Sequence, residues 1–344
     1  MKDGFIKVAA ATPKIKVADP AYNTEEILKI IDETEKNGAN ILVFSELTIS
    51  GYTCGDLFLQ QPLLTECKNQ LLRIVKATEN KSMLVVVGCP IVIKQKLYNC
   101  AVVISDGSIL GIVPKTHLPN YSEFYEARHF TRGMEETVQV SLGEEVVPMG
   151  KKLLFTCQTM PELKIGVELC EDLWTPEPPS IRHALNGADV IVNLSASDET
   201  TGKDIYREEL VGGQSARLLC GYIYASAGDG ESTQDVVYSA HNIIAENGTM
   251  LAVSERFGHQ TIYADLDLLR LNSERRRMTT YGQLTPEQLE AYQTVHFSLQ
   301  PETFELKRFI DPSPFVPSDE QERNRRCEEI LSIQACGLKK RLEH

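Results

Sequence analysis

Short apolar runs alternate with longer amphipathic segments along the first part of the chain, and this alternation constrains the fold more than any other feature. Apolar runs of this length are typical of buried strands, whereas apolar residues at three- and four-residue spacing are typical of helices. Their alternation predicts an α/β fold. The predicted elements are strands at Ile6–Ala11, Asn40–Phe44 and Met83–Val92 and helices at Thr24–Asn37 and Pro62–Thr78.

Two glycine-containing dipeptides indicate hairpins within this pattern. Asp106-Gly107 and Asn247-Gly248 each separate two apolar runs, and both favour the tight turn that joins antiparallel strands. We therefore expect parallel and antiparallel pairing in the same protein. The predicted flanking strands are Tyr98–Ile104 with Ser108–Val113 and His241–Ala245 with Met250–Val253.

The second half of the chain repeats the layout of the first. Near-continuous apolar strands such as Ile41–Phe44 and Val190–Val192 imply sheets that are covered on both faces. A sandwich of two mixed sheets with helices outside accommodates both these strands and the hairpins. Further predicted elements are helices at Ser180–Asn186 and Asp204–Leu219 and strands at Asp189–Leu194 and Tyr222–Ala225.

Composition excludes several classes of function. The net charge of −13 repels phosphate backbones, so nucleic acid is not an expected partner despite the basic run Arg275–Arg277. No apolar stretch reaches the ~20 residues of a membrane span, and the first residues lack the apolar segment of a signal peptide. We predict a cytoplasmic protein without a membrane partner. Its nine cysteines are expected to be reduced and, without close pairs, to bind no metal.

The composition changes near Arg308. A proline-rich connector, Asp311–Pro317, leads into a charged helical pattern at Asp319–Leu342, and the final Leu342-Glu-His344 resembles the remnant of an expression tag. We therefore expect a main domain at 1–307, a connector with the start of a further domain at 308–341, and a tag remnant at 342–344.

Three chemically suited residues lie at predicted strand ends: the thiol of Cys170, the carboxylate of Glu46 and the ammonium of Lys115. A nucleophilic thiol needs a base, and the tetrahedral intermediate of acyl transfer needs a cation or other donor for its oxyanion. Taken singly, each residue has an ordinary structural alternative: a buried small hydrophobe, a capping acid and a surface lysine. A Cys–His site using His117 is less well supported, because no accompanying Asn or Asp motif is evident.

Three motifs around these residues resemble the signatures of the carbon–nitrogen hydrolase (nitrilase) superfamily. They are Phe44 to Leu47, Val113 to Pro119 and Gly166 to Asp172, and they occur in the order and context of that superfamily. The resemblance implies a four-layer αββα sandwich. It also implies that Cys170 is the nucleophile, that Glu46 is the general base and then acid, and that Lys115 stabilises the oxyanion.

Further segments resemble the glutaminase domain of the glutamine-dependent NAD synthetase family. They include Leu118–Phe130, Asn193–Ser197, Gln214–Arg217, Gly228–Asp235 and Phe315–Pro317. The resemblance implies L-glutamine as substrate and, as partner, a synthetase domain that this sequence lacks. We also expect a homo-oligomer. No Ser-Gly-Gly-x-Asp-Ser loop occurs in the chain, so ATP and Mg are implied only for that synthetase domain, and no cofactor is expected here.

The same resemblance assigns the remaining site residues. Glu123 matches a second glutamate that orients the lysine, and Lys203 occupies a position where the family often has arginine, which holds a carboxylate with two parallel bonds. The implied substrate-binding residues are Tyr121, Glu171, Ser197, Lys203, Tyr52 and Trp174. Two alternatives stay open: a stand-alone amidase, nitrilase or carbamoylase with another substrate, and a non-catalytic assembly or regulatory platform.

Overall fold

A computed structural model describes residues 3–143, 145–282, 292–300 and 305–343. The chain forms two compact units, Met1–Leu306 and Lys307–His344. Its strands are β1 (Phe5–Ala11), β2 (Ile41–Phe44), β3 (Leu84–Ile93), β4 (Lys96–Ser105), β5 (Ser108–Pro114), β6 (Val138–Leu142), β7 (Glu145–Met149), β8 (Leu153–Cys157), β9 (Lys164–Leu169), β10 (Val190–Ser195), β11 (Gly221–Ser226), β12 (Ile243–Glu246), β13 (Thr249–Val253), β14 (Thr261–Asp267) and β15 (Gln293–Phe297). Its α-helices are α1 (Pro20–Lys36), α2 (Gln61–Ala77), α3 (Glu171–Trp174), α4 (Pro179–Leu185), α5 (Lys203–Leu218), α6 (Leu268–Arg277) and α7 (Glu320–Leu342).

The strands of the first unit form two mixed sheets. The first sheet has the order β14-β1-β2-β3-β4-β5-β7-β6, and the second has the order β13-β12-β11-β10-β9-β8-β15. Parallel pairs such as β1–β2 and β9–β10 occur beside antiparallel pairs such as β3–β4 and β11–β12. The predicted mixture of pairing modes is therefore confirmed.

Apolar side chains define four layers. One buried cluster joins the facing sides of the two sheets, with Val8 and Val43 from the first and Val167 and Val192 from the second. A second cluster packs α1 and α2 on the outer face of the first sheet, and a third packs α4 and α5 on the outer face of the second. The fold is thus the αββα sandwich that the sequence predicts.

Both predicted hairpin turns are present. Asp106 and Gly107 have φ values of 45° and 73°, and Asn247 and Gly248 have φ values of 46° and 82°. Two successive left-handed residues make the turn whose twist matches that of the flanking strands, which explains the preference for Asp-Gly and Asn-Gly. The first turn joins β4 to β5, and the second joins β12 to β13.

One glycine permits a close approach beside the site described below. A Cβ atom on Gly88 of β3 would lie 2.2 Å from the backbone nitrogen of Leu47 and 2.8 Å from the carbonyl carbon of Glu46. Any side chain at position 88 would therefore displace the segment that carries Glu46. Gly88 also accepts a hydrogen bond from the backbone N–H of Ile49 at 3.2 Å.

The second unit contains α7, close to the helix predicted at Asp319–Leu342. Asp319 caps this helix by accepting a hydrogen bond from the backbone N–H of Glu322 at 2.8 Å. No residue of α7 is buried, and Ile330, Leu331 and Ile333 are 49%, 65% and 67% exposed. Among the helices of the described ranges, none is both long and apolar enough to cross a membrane.

Candidate active site

The three residues singled out at strand ends lie at the same end of the sandwich, where β2, β5 and β9 terminate. Glu46 follows β2, Lys115 follows β5, and Cys170 follows β9. Strands β2 and β5 run in the same direction, because β2 is parallel to β3 and two antiparallel steps separate β3 from β5. The backbone N–H of Glu46 donates to Ser195 O, at the end of β10 in the second sheet, at 3.2 Å. The carboxyl ends of these strands of the two sheets therefore lie next to each other.

Lys115 is buried between two carboxylates. Its Nζ donates to Glu46 Oε1 at 2.7 Å and to Glu126 Oε1 at 2.6 Å, and its side chain is 0% exposed. Burial lowers the pKa of Lys115, but the negative charges of Glu126 and Glu46 outweigh burial and hold this pKa well above its usual value. The lysine is thus a fixed, charged donor.

Glu46 has one oxygen engaged and one free. Asn99, in the mostly apolar strand β4, donates from Nδ2 to Glu46 Oε1 at 2.6 Å, the same oxygen that Lys115 contacts. Within the described part of the chain, Glu46 Oε2 is buried and has no hydrogen-bond partner. A buried carboxylate oxygen without a donor is able to accept a proton.

The second carboxylate on Lys115 is Glu126, which corrects the expectation that Glu123 holds this position. Glu126 begins a 3-10 turn, Glu126–Arg128, and its backbone N–H donates to Pro119 O at 3.1 Å. This anchoring places the Glu126 side chain in the interior, 5% exposed, whereas Glu123 is only half-buried in the preceding loop. Local chain geometry, which spacing from Lys115 does not reveal, decides between the two glutamates.

Glu126 is also held by Tyr52, whose hydroxyl donates to Glu126 Oε1 at 2.7 Å. Burial raises the pKa of Glu126 to about 7; the charge of Lys115 opposes this rise and that of Glu46 adds to it. Tyr52 itself is fixed by Glu231, which accepts hydrogen bonds from the backbone N–H groups of Tyr52 and Thr53 at 2.7 and 2.9 Å. A cavity of about 100 Å³ opens beside this group and is lined by Tyr52, Glu123, Glu126 and Tyr238 among others.

Cys170 occupies a strained turn between β9 and α3. Its φ of 38° and ψ of −100° are unusual for a residue with a side chain, and such strain is concentrated at functional positions. Its backbone N–H is bound by Leu194 O at 2.9 Å and Asn193 Oδ1 at 3.0 Å. Burial and the charge of Glu46 raise the pKa of the thiol, and the charge of Lys115 lowers it. The thiol is therefore protonated at rest and needs a base.

The predicted substrate-binding residues Tyr121 and Glu171 contact each other outside this cluster. The Tyr121 hydroxyl donates to Glu171 Oε1 at 2.9 Å, and Tyr121 is 56% exposed. Burial raises the pKa of Glu171, and the charges of Lys115 and Lys203 oppose this rise. Glu171 thus lies within the electrostatic reach of both lysines.

The side chain of Lys203 lies next to that of Trp174. The Lys203 ammonium pairs with the buried carboxylate of Asp198 and lies 5.3 Å from the centre of the Trp174 ring. Trp174 stacks on Tyr206 with the ring centres 5.5 Å apart. Lys203 is the first residue of α5, so the helix start fixes where its side chain begins.

Ser197 is buried and contacts the side chain of Arg207 in α5. Arg207 Nη2 donates to Ser197 Oγ at 3.4 Å and to Asp198 O at 3.0 Å, and the Arg207 side chain is 0% exposed. Its charge is balanced by Glu199, 3.1 Å from Nη1. Arg207 therefore supports the segment that carries both Ser197 and the carboxylate partner of Lys203.

Sequence reasoning missed several members of the site. Asn99 could have been found from the sequence, because it is a polar residue within a run of apolar residues. Asn193 in β10 could have been found in the same way. Glu126 was one of two glutamates in one short loop, and Asp172 was part of a motif without an assigned role. In the described residues, no group of three or more His, Cys, Asp or Glu side chains is arranged to hold a metal ion.

Comparison with known proteins places this geometry in context. Residues 7–276 match the sequence model of the family described as carbon-nitrogen hydrolase. The chain is 40% identical over 346 residues to a glutamine-dependent NAD(+) synthetase of Mycobacterium bovis, covering 98% of this chain and 51% of that protein. The chain thus spans about half the length of the curated relatives it matches.

Solved structures agree at the level of the fold. A glutamine-dependent NAD(+) synthetase from Cytophaga hutchinsonii superposes with a TM-score of 0.69 at 29% identity, covering 76% of this chain and 43% of that one. Nit3 of Saccharomyces cerevisiae, a member of branch 10 of the nitrilase superfamily, superposes with a TM-score of 0.63 at 19% identity, covering 81% and 96%.

Proposed function

Because the chain belongs to the carbon–nitrogen hydrolase family, we propose that it hydrolyses L-glutamine to glutamate and ammonia through a γ-glutamyl thioester on Cys170. The observation that carries the proposal is the buried lysine held by two carboxylates, 2.7 Å from Glu46 and 2.6 Å from Glu126, whose charges all act on the pKa of the Cys170 thiol. This arrangement combines a nucleophile, a base and an oxyanion donor.

The first half of the reaction forms the thioester. Glu46 takes the thiol proton on its free Oε2 as Cys170 Sγ attacks the carbonyl carbon of the side-chain amide. Lys115 and the backbone N–H of Glu171 stabilise the resulting oxyanion. When the oxyanion collapses, the C–N bond breaks and Glu46 returns the proton to the leaving nitrogen, which departs as ammonia.

The second half hydrolyses the thioester. Glu46 removes a proton from a water molecule, whose oxygen attacks the thioester carbonyl, and Lys115 again stabilises the oxyanion. The C–S bond then breaks, and the sulfur takes the proton back from Glu46. Glutamate leaves, and the enzyme returns to the protonated thiol that its raised pKa favours.

Recognition of glutamine falls to the outer residues. The α-carboxylate of the substrate would bind Lys203, and the α-ammonium would bind Glu171, so that charges of opposite sign meet the two ends of the zwitterion. Ser197 and Tyr121 would add hydrogen bonds, and Tyr52 and Trp174 would shape the pocket. A single lysine offers one point charge where arginine offers two parallel bonds.

In a longer protein of the kind that the relatives represent, the ammonia would serve a synthetase domain. The Mycobacterium bovis relative is named as a glutamine-dependent NAD(+) synthetase, which supports this role. There the ammonia would amidate the NAD precursor. We expect ATP and Mg to bind to that domain, since this sequence has no pyrophosphate-binding loop of the Ser-Gly-Gly-x-Asp-Ser type. Calorimetric titration of this chain with ATP and magnesium should show no specific binding.

Ammonia release from glutamine tests the proposed activity. The unmodified chain should release ammonia, and Cys170→Ala should release none above background while it remains folded, because only the nucleophile is removed. A glutamine-like chloroketone should add one covalent mass at Cys170. Label on another cysteine, or faster hydrolysis of simple aliphatic amides than of glutamine, would contradict the proposal.

A further inference from the structure

The nucleophile and the oxyanion donor stand on different sheets. Lys115 follows β5 of the first sheet, and Cys170 follows β9 of the second. The two sheets meet through apolar side chains, whose packing is not directional. Catalysis nevertheless depends on their separation, because a misplacement of ~1 Å is able to cost ~100-fold in rate. Some polar contact between the two loops is therefore needed.

Asp172 makes such a contact. Its Oδ1 accepts a hydrogen bond from the backbone N–H of His117 at 2.7 Å, and its Oδ2 accepts from the N–H of Thr116 at 3.3 Å and of Leu169 at 3.1 Å. Thr116 and His117 directly follow Lys115, and Leu169 directly precedes Cys170. One carboxylate thus ties together the backbones that carry both catalytic side chains.

We propose that Asp172 is a positioning residue that fixes the Lys115 loop against the Cys170 turn, so that Lys115 meets the oxyanion formed at Cys170. It contacts neither substrate nor reacting atoms and acts through Lys115. The inference rests on the glutaminase function proposed above. Asp172 is only 1% exposed, so water does not compete for its two oxygens. Its hydrogen bond from the Leu169 N–H is buried, and those from Thr116 and His117 are partly buried.

The geometry makes a carboxylate specific for this task. Three backbone N–H groups converge on two oxygens, and an amide offers only one acceptor oxygen while its NH₂ group faces N–H donors. Asp172→Asn therefore keeps the size of the side chain but breaks at least one of the links between the loops. The Glu46 loop has its own link to the second sheet, through Ser195 O, and should keep its place.

Two reactions of Cys170 separate positioning from general damage. Hydrolysis of glutamine needs Lys115 to stabilise an oxyanion, whereas alkylation by iodoacetamide displaces iodide and forms no oxyanion. In the 344-residue chain, Asp172→Asn should lower kcat for glutamine by ~10- to 100-fold with KM nearly unchanged. The rate of Cys170 alkylation should stay within ~threefold, because thiol, base and access are retained.

A matched control and a double variant complete the design. Asp265→Asn removes another buried carboxylate, which pairs with Lys7 at 2.7 Å between β1 and β14 of the first sheet. In this control variant kcat should stay unchanged. Lys115→Met with Asp172→Asn should be no slower than Lys115→Met alone, because a residue that acts through Lys115 has no effect once Lys115 is removed. Asp172→Glu, which displaces the carboxylate by one methylene, serves if Asp172→Asn does not fold, and should also lower kcat.

Each outcome supports or overturns the proposal. Normal kcat in a folded Asp172 variant, an equal loss of alkylation and hydrolysis, an equal loss in Asp265→Asn, or multiplying losses in the double variant would overturn it. Absence of glutamine hydrolysis by the unmodified chain would instead contradict the proposed function. The two failures are thus distinguishable.

Discussion

The site has an inner part, formed by Glu46, Lys115, Glu126 and Cys170, and an outer part that includes Glu171 and Lys203. The two parts use lysine in different ways. Lys115 is fully buried, donates to two carboxylates and lies at the end of a strand whose backbone is fixed in a sheet. Lys203 lies at a helix start, keeps 20% of its side chain exposed and pairs with one carboxylate beside an indole ring. The first lysine is held rigidly by opposing charges, whereas the second retains access to solvent.

This difference fits the different tasks proposed for the two lysines. A cation that stabilises a transient oxyanion must already be in place and must stay charged, which two buried carboxylates ensure for Lys115. A cation that binds the end of a substrate must remain reachable, as Lys203 does. We therefore expect changes in the inner part to lower kcat and changes in the outer part to raise KM.

The largest effects should follow changes at the centre of the inner part. Lys115→Met and Glu46→Gln should each cost about 2–4 kcal/mol of transition-state stabilisation, or ~30- to ~900-fold in kcat, because they remove the proposed oxyanion donor or the proposed base. Steady-state ammonia assays measure this loss. A variant of either kind with near-normal turnover would show that the roles are misassigned.

A smaller effect distinguishes the two neighbouring glutamates. Glu126→Gln should lower kcat by ~10- to 100-fold, because it removes one of the two negative charges on Lys115, whereas Glu123→Gln should leave kcat within ~threefold. The two changes are chemically identical and three positions apart, so each controls for the other. A larger loss in Glu123→Gln would reinstate the sequence-based assignment.

A comparison of the unmodified chain with Glu126→Gln over a range of pH gives a further test. The Glu126 pKa is raised to about 7, so the carboxyl gains a proton as the pH falls through that value, and Lys115 then loses a charged partner. Activity of the unmodified chain should decline below about pH 7 and approach that of Glu126→Gln. Parallel pH–rate curves that never converge would rule out Glu126 as the titrating group.

The smallest effect on turnover is expected in the outer part. Lys203→Ala should raise KM for glutamine by ~10-fold or more and change kcat little, because the contact to the α-carboxylate is present equally in the ground and transition states. Lys203→Arg should tighten binding if the guanidinium forms two bonds. An analogue without the α-carboxylate should bind the unmodified chain more weakly than glutamine; equal binding would remove the reason for this assignment.

Sequence patterns were most informative where local chemistry decides the structure. The predicted strand at Asn40–Phe44 and helix at Asp204–Leu219 differ from β2 and α5 by one residue at their ends, since apolar periodicity directly reflects burial. Strands β6, β7, β8, β14 and β15 were not predicted. In four of these, β6, β7, β14 and β15, most residues are half-buried or exposed, so their hydrophobic pattern is weak.

By itself, the sequence determined the layered α/β class, the two tight hairpin turns and the type of residue at each strand end. Those properties depend on neighbours in the chain: apolar spacing, Asp-Gly and Asn-Gly dipeptides, and charged residues that follow apolar runs. Only the tertiary structure decided that Glu126 rather than Glu123 contacts Lys115 and that Asp172 links the loop after Lys115 to the turn at Cys170. Such contacts join different sheets and loops, and their distances depend on how the whole sandwich packs, which no local pattern contains.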